Sequence, residues 1–240
     1  MPPTLRSNNT ADDAVTFDYV DYSTVSDNFV TNGGTGASAY VSVQQTTNLT
    51  LIGNEVDAGY ISMGSSSGNN VQNSVISYNH VGNPGNNNPH LSMDMVSNSV
   101  VELNSADYFD FDGSYQVTVR NNTALTAGIQ FGAHLACYNL ARYWYRYLQP
   151  TAQPWLTRCS SASTDYMQND LISDNVANGF ELAVIANSVF QGNVIVDPTI
   201  TTGGSGANVQ VSDYLVDDIF VADNQADYSA CPSARVSCNP

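Results

Sequence analysis

Residues 116–128, "QVTVRNNTALTAG", echo residues 4–14, "TLRSNNTADDA", because both carry the block Asn-Asn-Thr-Ala. Aligned on the second asparagine, the block expands into a series of nine: "SNNTA" at Asn9, "SDNFV" at Asn28, "IGNEV" at Asn54, "SYNHV" at Asn79, "ELNSA" at Asn104, "RNNTA" at Asn122, "SDNVA" at Asn175, "QGNVI" at Asn193 and "ADNQA" at Asn224. Two residues beyond each asparagine stands Ala, Val or Ile, at Ala11, Val30, Val56, Val81, Ala106, Ala124, Ala177, Ile195 and Ala226. Three residues before it runs a second apolar column, Val25, Leu51, Ile76, Val101, Val119, Ile172, Phe190 and Val221, broken only by Arg6.

The asparagines follow one another at 19, 26, 25, 25, 18, 53, 18 and 31 residues. Those steps suit one coil of a solenoid with loops of varying length and one long insertion. Each unit also holds a short run with the period of two expected of a strand: "VTFD", "YVSV", "ISMG", "LSMD", "FDFD", "IQFG", "FELA" and "VQVS". Short strands parted by Gly, Asn and Ser turns predict an all-β parallel β-helix of about eight to nine coils, each coil burying its apolar columns against its neighbours. The asparagine column has a physical cause in this reading. Asn tolerates the left-handed bend between strands, and stacked amides hydrogen-bond from coil to coil.

These columns, over roughly residues 4–228, make the chain resemble the right-handed parallel β-helix superfamily, the architecture of pectate lyases, polygalacturonases, phage tailspikes and NosD-like carbohydrate-binding repeats. The resemblance implies the fold alone. It carries no catalytic motif: the Asn-Thr-Asp, Gly-His-Gly and Arg-Ile-Lys set of polygalacturonases is absent, and with no lysine in the chain a lysine base is excluded. An arginine base of the pectate-lyase kind would fall on Arg120, whose plainer reading is a solvated strand residue. The expected organisation is a single β-helix domain over residues 1–240, an insertion at 134–166 within it, and a disulfide-bearing tail at 229–240.

The 240 residues are 42% apolar and carry a formal net charge of −16, from 22 acidic groups against six arginines. Such a surface repels phosphate backbones and anionic lipid, which makes nucleic acid and membrane surfaces poor partners. No stretch approaches 18 apolar residues, so no membrane-inserted segment is expected. The four cysteines fall as two local pairs, Cys137 with Cys159 and Cys231 with Cys238, at spacings unlike those of metal sites. Read as disulfides, they place the chain outside the cell or on a virion or cell surface.

In each coil's alternating run the apolar residues point inward, so the intervening ones form outward rows: Thr16, Ser42, Ser62, Ser92, Asp110, Gln130, Glu181 and Gln210, and beside them Asp18, Gln44, Gly64, Asp94, Asp112, Gly132, Ala183 and Ser212. Acid gathers in the middle, at Asp94, Asp110, Asp112 and Glu181, which makes these four the candidate catalytic residues. Neighbouring coils stack at about 4.8 Å and same-face residues of a strand sit about 6.6 Å apart, spacings that bracket those used by paired glycosidase carboxylates. Like charges so close raise one carboxyl's pKa, as a general acid requires. The competing readings are a solvated acidic face on a chain with 19 aspartates, and a Ca²⁺ site; no other cofactor is implied.

The insertion differs in composition from everything around it. Tyr138, Tyr143, Trp144, Tyr145, Tyr147 and Trp155 are packed together with Arg142, Arg146 and Arg158 between Cys137 and Cys159. Aromatic faces flanked by arginine suit a sugar-stacking wall and a protein interface equally, and a loop that only covers the coils is the bland alternative. The histidines, His80, His90 and His134, show no ligand spacing.

Two function classes follow. One is a secreted carbohydrate-active or carbohydrate-binding β-helix, hydrolase rather than lyase, with Asp110 and Asp112 as acid and base, Asp94 and Glu181 in support, and Trp144, Tyr143, Tyr145, Arg142, Arg146 and Trp155 as substrate wall. The other is a non-catalytic structural or adhesive protein, a virion decoration or fibre component or a filament subunit. There the β-helix ends and the insertion contact further copies or a capping partner.

Overall fold

The computed structural model describes residues 5–12, 14–31, 39–57, 59–64, 71–82, 90–112, 114–132, 167–177, 180–182, 185–186, 188–195, 209–211, 219–222 and 236–239. Every strand pairing among them is parallel, and the chain winds through three sheets in turn. The first sheet is ten-stranded and takes the residues just before each asparagine, from Leu5–Ser7 through Val75–Ser77 and Thr118–Arg120 to Val236–Asn239. The second is fourteen-stranded. It begins straight after the asparagine with short strands such as Glu55–Asp57, and resumes in the alternating runs Ala14–Asp18, Ala39–Gln44, Gly59–Met63 and His90–Asp94. In the two coils where no loop intervenes, the two parts fuse into the long strands Ser105–Asp112 and Thr123–Gly132. The third sheet is narrow and in two parts, one built from Thr46–Thr47, Val71–Gln72 and Val96–Ser97 and one from Met167–Gln168 and Ile185–Ala186. Three parallel sheets with a stacked asparagine column are the features of a β-helix solenoid.

The apolar columns read from the sequence form the core. Val25, Leu51, Ile76, Val101, Val119, Ile172 and Phe190 are buried in consecutive register on the first sheet, and Val30, Val56, Val81, Ala106, Ala124 and Ala177 face them from the second. At ~1.5–3 kcal/mol for each large aliphatic or aromatic side chain removed from water, these columns are the main favourable term holding coil to coil.

The asparagine ladder runs through the described coils from Asn9 to Asn193. Asn54 is representative. Its Oδ1 accepts from the backbone N–H and the Nδ2 of Asn28 (3.2 and 2.7 Å), and its own Nδ2 donates to Asn79 Oδ1 (2.9 Å) and to the carbonyls of Ile52 and Val25. Buried amides survive there because the neighbouring coils supply their partners. The ladder also crosses the longest step of the chain, since Asn122 donates to Asn175 Oδ1 from both backbone and side chain at 3.0 Å.

One part of the expected cause is corrected. The left-handed residue is not the ladder asparagine but the one before it: Asn8, Asp27, Gly53, Tyr78, Leu103, Asn121, Asp174 and Gly192 have φ between 54° and 66°. The asparagine itself begins the turn into the second sheet with its side chain inward. Two further left-handed corners recur among the described residues, one at Tyr19, Gln45, Gly64 and Met95 and one at Tyr22, Asn48, Asn73, Asn98, Gln116 and Asn169. At the latter corner runs a second, partial polar column: Ser74 Oγ accepts from Leu49 N–H, Ser99 Oγ from Ser74 N–H, and Asp170 Oδ1 from Val117 N–H.

Candidate functional site

The outward rows stand in the register expected of them. Thr16 pairs with Ser42, Ser42 with Ser62, Ser62 with Ser92, Ser92 with Asp110, Asp110 with Gln130, Gln130 with Glu181 and Glu181 with Gln210. In the adjacent row Asp18 pairs with Gln44, Asp94 with Asp112 and Asp112 with Gly132.

The strand Ser105–Asp112 fixes the acidic pair. Its neighbour Thr123–Gly132 bulges between the partners of Ala106 and Tyr108, and beyond that point the alternation is regular: Phe109 and Phe111 are fully buried, while Asp110 and Asp112 lie half-buried on the outer face. Below them Phe111 stacks on Phe109 (ring centroids 6.3 Å) and on Phe131 (5.0 Å). The strand that carries the carboxylates is therefore anchored from its inner face by packed aromatic rings.

Asp112 has Asp94 directly opposite on the next coil and Asp110 two residues back on its own strand. Burial, followed by the charges of Asp110 and then Asp94, pushes its pKa from 3.8 up to about 8. At neutral pH Asp112 is a protonated acid beside other carboxyl groups. Glu181 is placed by its backbone in the row of Asp110, on the far side of Gln130. Asp94, Asp110 and Asp112 are thus brought together, and Glu181 lies two coils from Asp110, about 10 Å along the axis.

A third outward row, missed in the sequence, borders these two. Tyr40, Tyr60, His90 and Tyr108 share one register position on four successive coils. Tyr40 and Tyr60 stack at 5.3 Å and 7°, and Tyr60 and His90 at 5.1 Å and 7°. His90 opens the strand His90–Asp94. The available signal was an aromatic ring two positions before Ser42, Ser62, Ser92 and Asp110.

Arg120 lies on the first sheet, away from the carboxylates, with Nε and a terminal nitrogen each 2.7 Å from Glu102 Oε2. An ion-paired guanidinium there has no carboxylate-lined face to work on. Trp144, Tyr143, Tyr145, Arg142, Arg146 and Trp155 lie outside the described residues, as do Cys137, Cys159 and Cys231. Cys238 belongs by its backbone to the strand Val236–Asn239, opposite Val221. Among the described residues no group of three or more His, Cys, Asp or Glu is arranged to hold a metal ion, and no helix is long and apolar enough to cross a membrane. No protein-family model, curated protein or solved structure matches the chain.

Proposed function

We propose that the protein is a secreted glycan-active β-helix, a glycoside hydrolase working from the outer face of the second sheet. The observation that carries this reading is Asp112, a carboxyl group held protonated to about pH 8 within a triad of carboxyls on two adjacent strands. In this mechanism Asp112 gives its proton to the glycosidic oxygen as the C–O bond breaks. The carboxylate of Asp110 takes a proton from the attacking water, and Asp94, opposite Asp112, keeps the proton on the acid by repulsion. Glu181 and the aromatic insertion, with Trp144, Tyr143, Tyr145, Trp155, Arg142 and Arg146, are assigned to supporting the bound chain.

The test is reducing-end release from a panel of neutral and acidic polysaccharides. Asp110→Asn and Asp112→Asn should each lower the rate by about a hundredfold or more while the thermal transition stays cooperative. Wild-type rate should fall above about pH 8, as Asp112 loses its proton. Full activity in both variants would overturn the assignment. An inactive wild-type protein that sediments as an oligomer would replace it with the structural or adhesive reading.

A further inference from the structure

We infer that the row Tyr40–Tyr60–His90–Tyr108 is a binding rail for an extended, uncharged polysaccharide lying along the solenoid axis with about one sugar ring per coil. This rests on the glycan reading above and names the substrate's class and direction.

The rail is regular. The strands Ala39–Gln44, Gly59–Met63 and His90–Asp94 pair without a register break, and Val41, Ile61 and Leu91 beside the rail residues are buried, so Tyr40, Tyr60 and His90 all project outward. Their rings are half-buried and offset-stacked along the axis. Stacking of this kind supports each ring on its neighbour and leaves edges and hydroxyls turned to solvent. Beside the rail runs a second one of hydroxyls, Ser42, Ser62 and Ser92, and that row ends in Asp110. Three successive coils of this face therefore offer the same pair, an aromatic edge and a hydroxyl, and the series leads to the carboxylates.

A ligand that uses such a surface must itself repeat at about 4.8 Å, the spacing of neighbouring strands. A fully extended, equatorially linked pyranose chain advances by close to that distance per sugar. It lays C–H groups against the ring edges and hydroxyls against the serines of successive coils. A coiled glycan drifts off a straight rail within a few rings. Charge selects further. Of the described arginines, Arg6 and Arg120 both lie on the first sheet, and the rail ends at Asp94, Asp110 and Asp112 on a chain of net charge −16. A uronate chain would meet repulsion with no described cation on this face, whereas a neutral chain meets none.

The experiment is calorimetric titration of the Asp112→Asn chain, in which turnover is slowed about a hundredfold or more, with β-1,4-linked neutral oligosaccharides from disaccharide to hexasaccharide and with oligouronates of matched length. Affinity for the neutral series should rise at least tenfold from disaccharide to tetrasaccharide and then level off, with no binding of oligouronates. Tyr60→Ala should remove the gain with length and leave disaccharide affinity within twofold, while Tyr60→Phe, which preserves the stack, should retain most of it. Length-independent affinity, tighter binding of uronates, or an unchanged length series in Tyr60→Ala would overturn the rail. These outcomes are separable from failure of the hydrolase reading, since a wild-type protein that cleaves nothing but shows the Tyr60-dependent length series would keep the rail and lose the catalysis.

Discussion

The asparagine corner and the outer face of the second sheet are products of the same repeat, yet they treat polar groups in opposite ways. From Asn28 to Asn175 the corner keeps one neutral side chain in each coil, buried and hydrogen-bonded to the coils on either side. On the outer face the column Ser42, Ser62, Ser92 turns into Asp110, and Gln44 gives way to Asp94 and Asp112, so that charge collects where one pair of coils departs from the others. In a solenoid, sameness from coil to coil marks what every coil needs in order to stack. Departure from a column that could have stayed neutral raises an energetic cost, seen in the raised pKa of Asp112, which stacking alone does not explain.

The largest effect expected from this contrast is in the ladder. Asn104→Leu removes the acceptor of both the backbone N–H and Nδ2 of Asn79, and the donor to Asn122 Oδ1 and Ile76 O. With several buried groups unpaired at ~1–3 kcal/mol each, the loss should be about 5 kcal/mol. For a chain of this size that lowers the melting temperature by about 10 °C or more. The loss should not vary between mildly acidic and neutral pH, because nothing in the ladder titrates. A melting curve like that of the wild type would make the column ornamental.

The acidic face should behave in the reverse sense. Asp112 is raised above its unfolded value, so between about pH 4 and 8 the folded state keeps a proton that the unfolded chain has released. The stability it contributes is fully present below pH 4 and drains away as pH rises towards 8, by no more than about 1.4 kcal/mol per pH unit and by less because the group is partly solvated. Asp112→Asn should therefore match the wild type in melting temperature at pH 4 and exceed it by a growing margin up to pH 8. A gap that does not widen would mean that Asp112 ionises like an ordinary carboxylate, and would remove the proposed acid with it.

The parts of the molecule that the sequence disclosed are those where chemistry and period coincide. Apolar residues at a fixed offset from an asparagine can have few causes, and Val25 through Phe190 are buried as that pattern required. The outward rows followed, because alternation along "FDFD" leaves only one face for Asp110 and Asp112 once Phe109 and Phe111 point inward. The left-handed corners were hidden. Asn, Asp, Gly, Tyr and Leu all occupy the position before the ladder, held there by stacking rather than by their own preference. The Tyr–His rail was hidden too, because Tyr40, Tyr60 and His90 stand at or near the starts of strands separated from the preceding ones by unequal numbers of residues, where linear spacing loses the register that backbone pairing restores. The roles of Trp144 and its neighbours rest on composition alone.

The smallest expected effect separates the two faces most cleanly. Arg120 is the one described arginine with a resolved partner, 2.7 Å from Glu102, and its side chain is 48% exposed. An exposed pair of this kind contributes about 1 kcal/mol at most, so Arg120→Met should lower the melting temperature by no more than about 2–4 °C, and high salt should shrink the difference. Its effect on glycan turnover should be nil, since Glu102 and Arg120 belong to the first sheet and Asp94, Asp110 and Asp112 to the second. A lyase using Arg120 as its base would respond in the opposite way, losing orders of magnitude in rate at almost unchanged stability. Parallel rate and melting measurements on this variant decide which face holds the reacting bond. A rate that stays put while Asp112→Asn abolishes it assigns the chemistry to the sheet whose columns change from coil to coil.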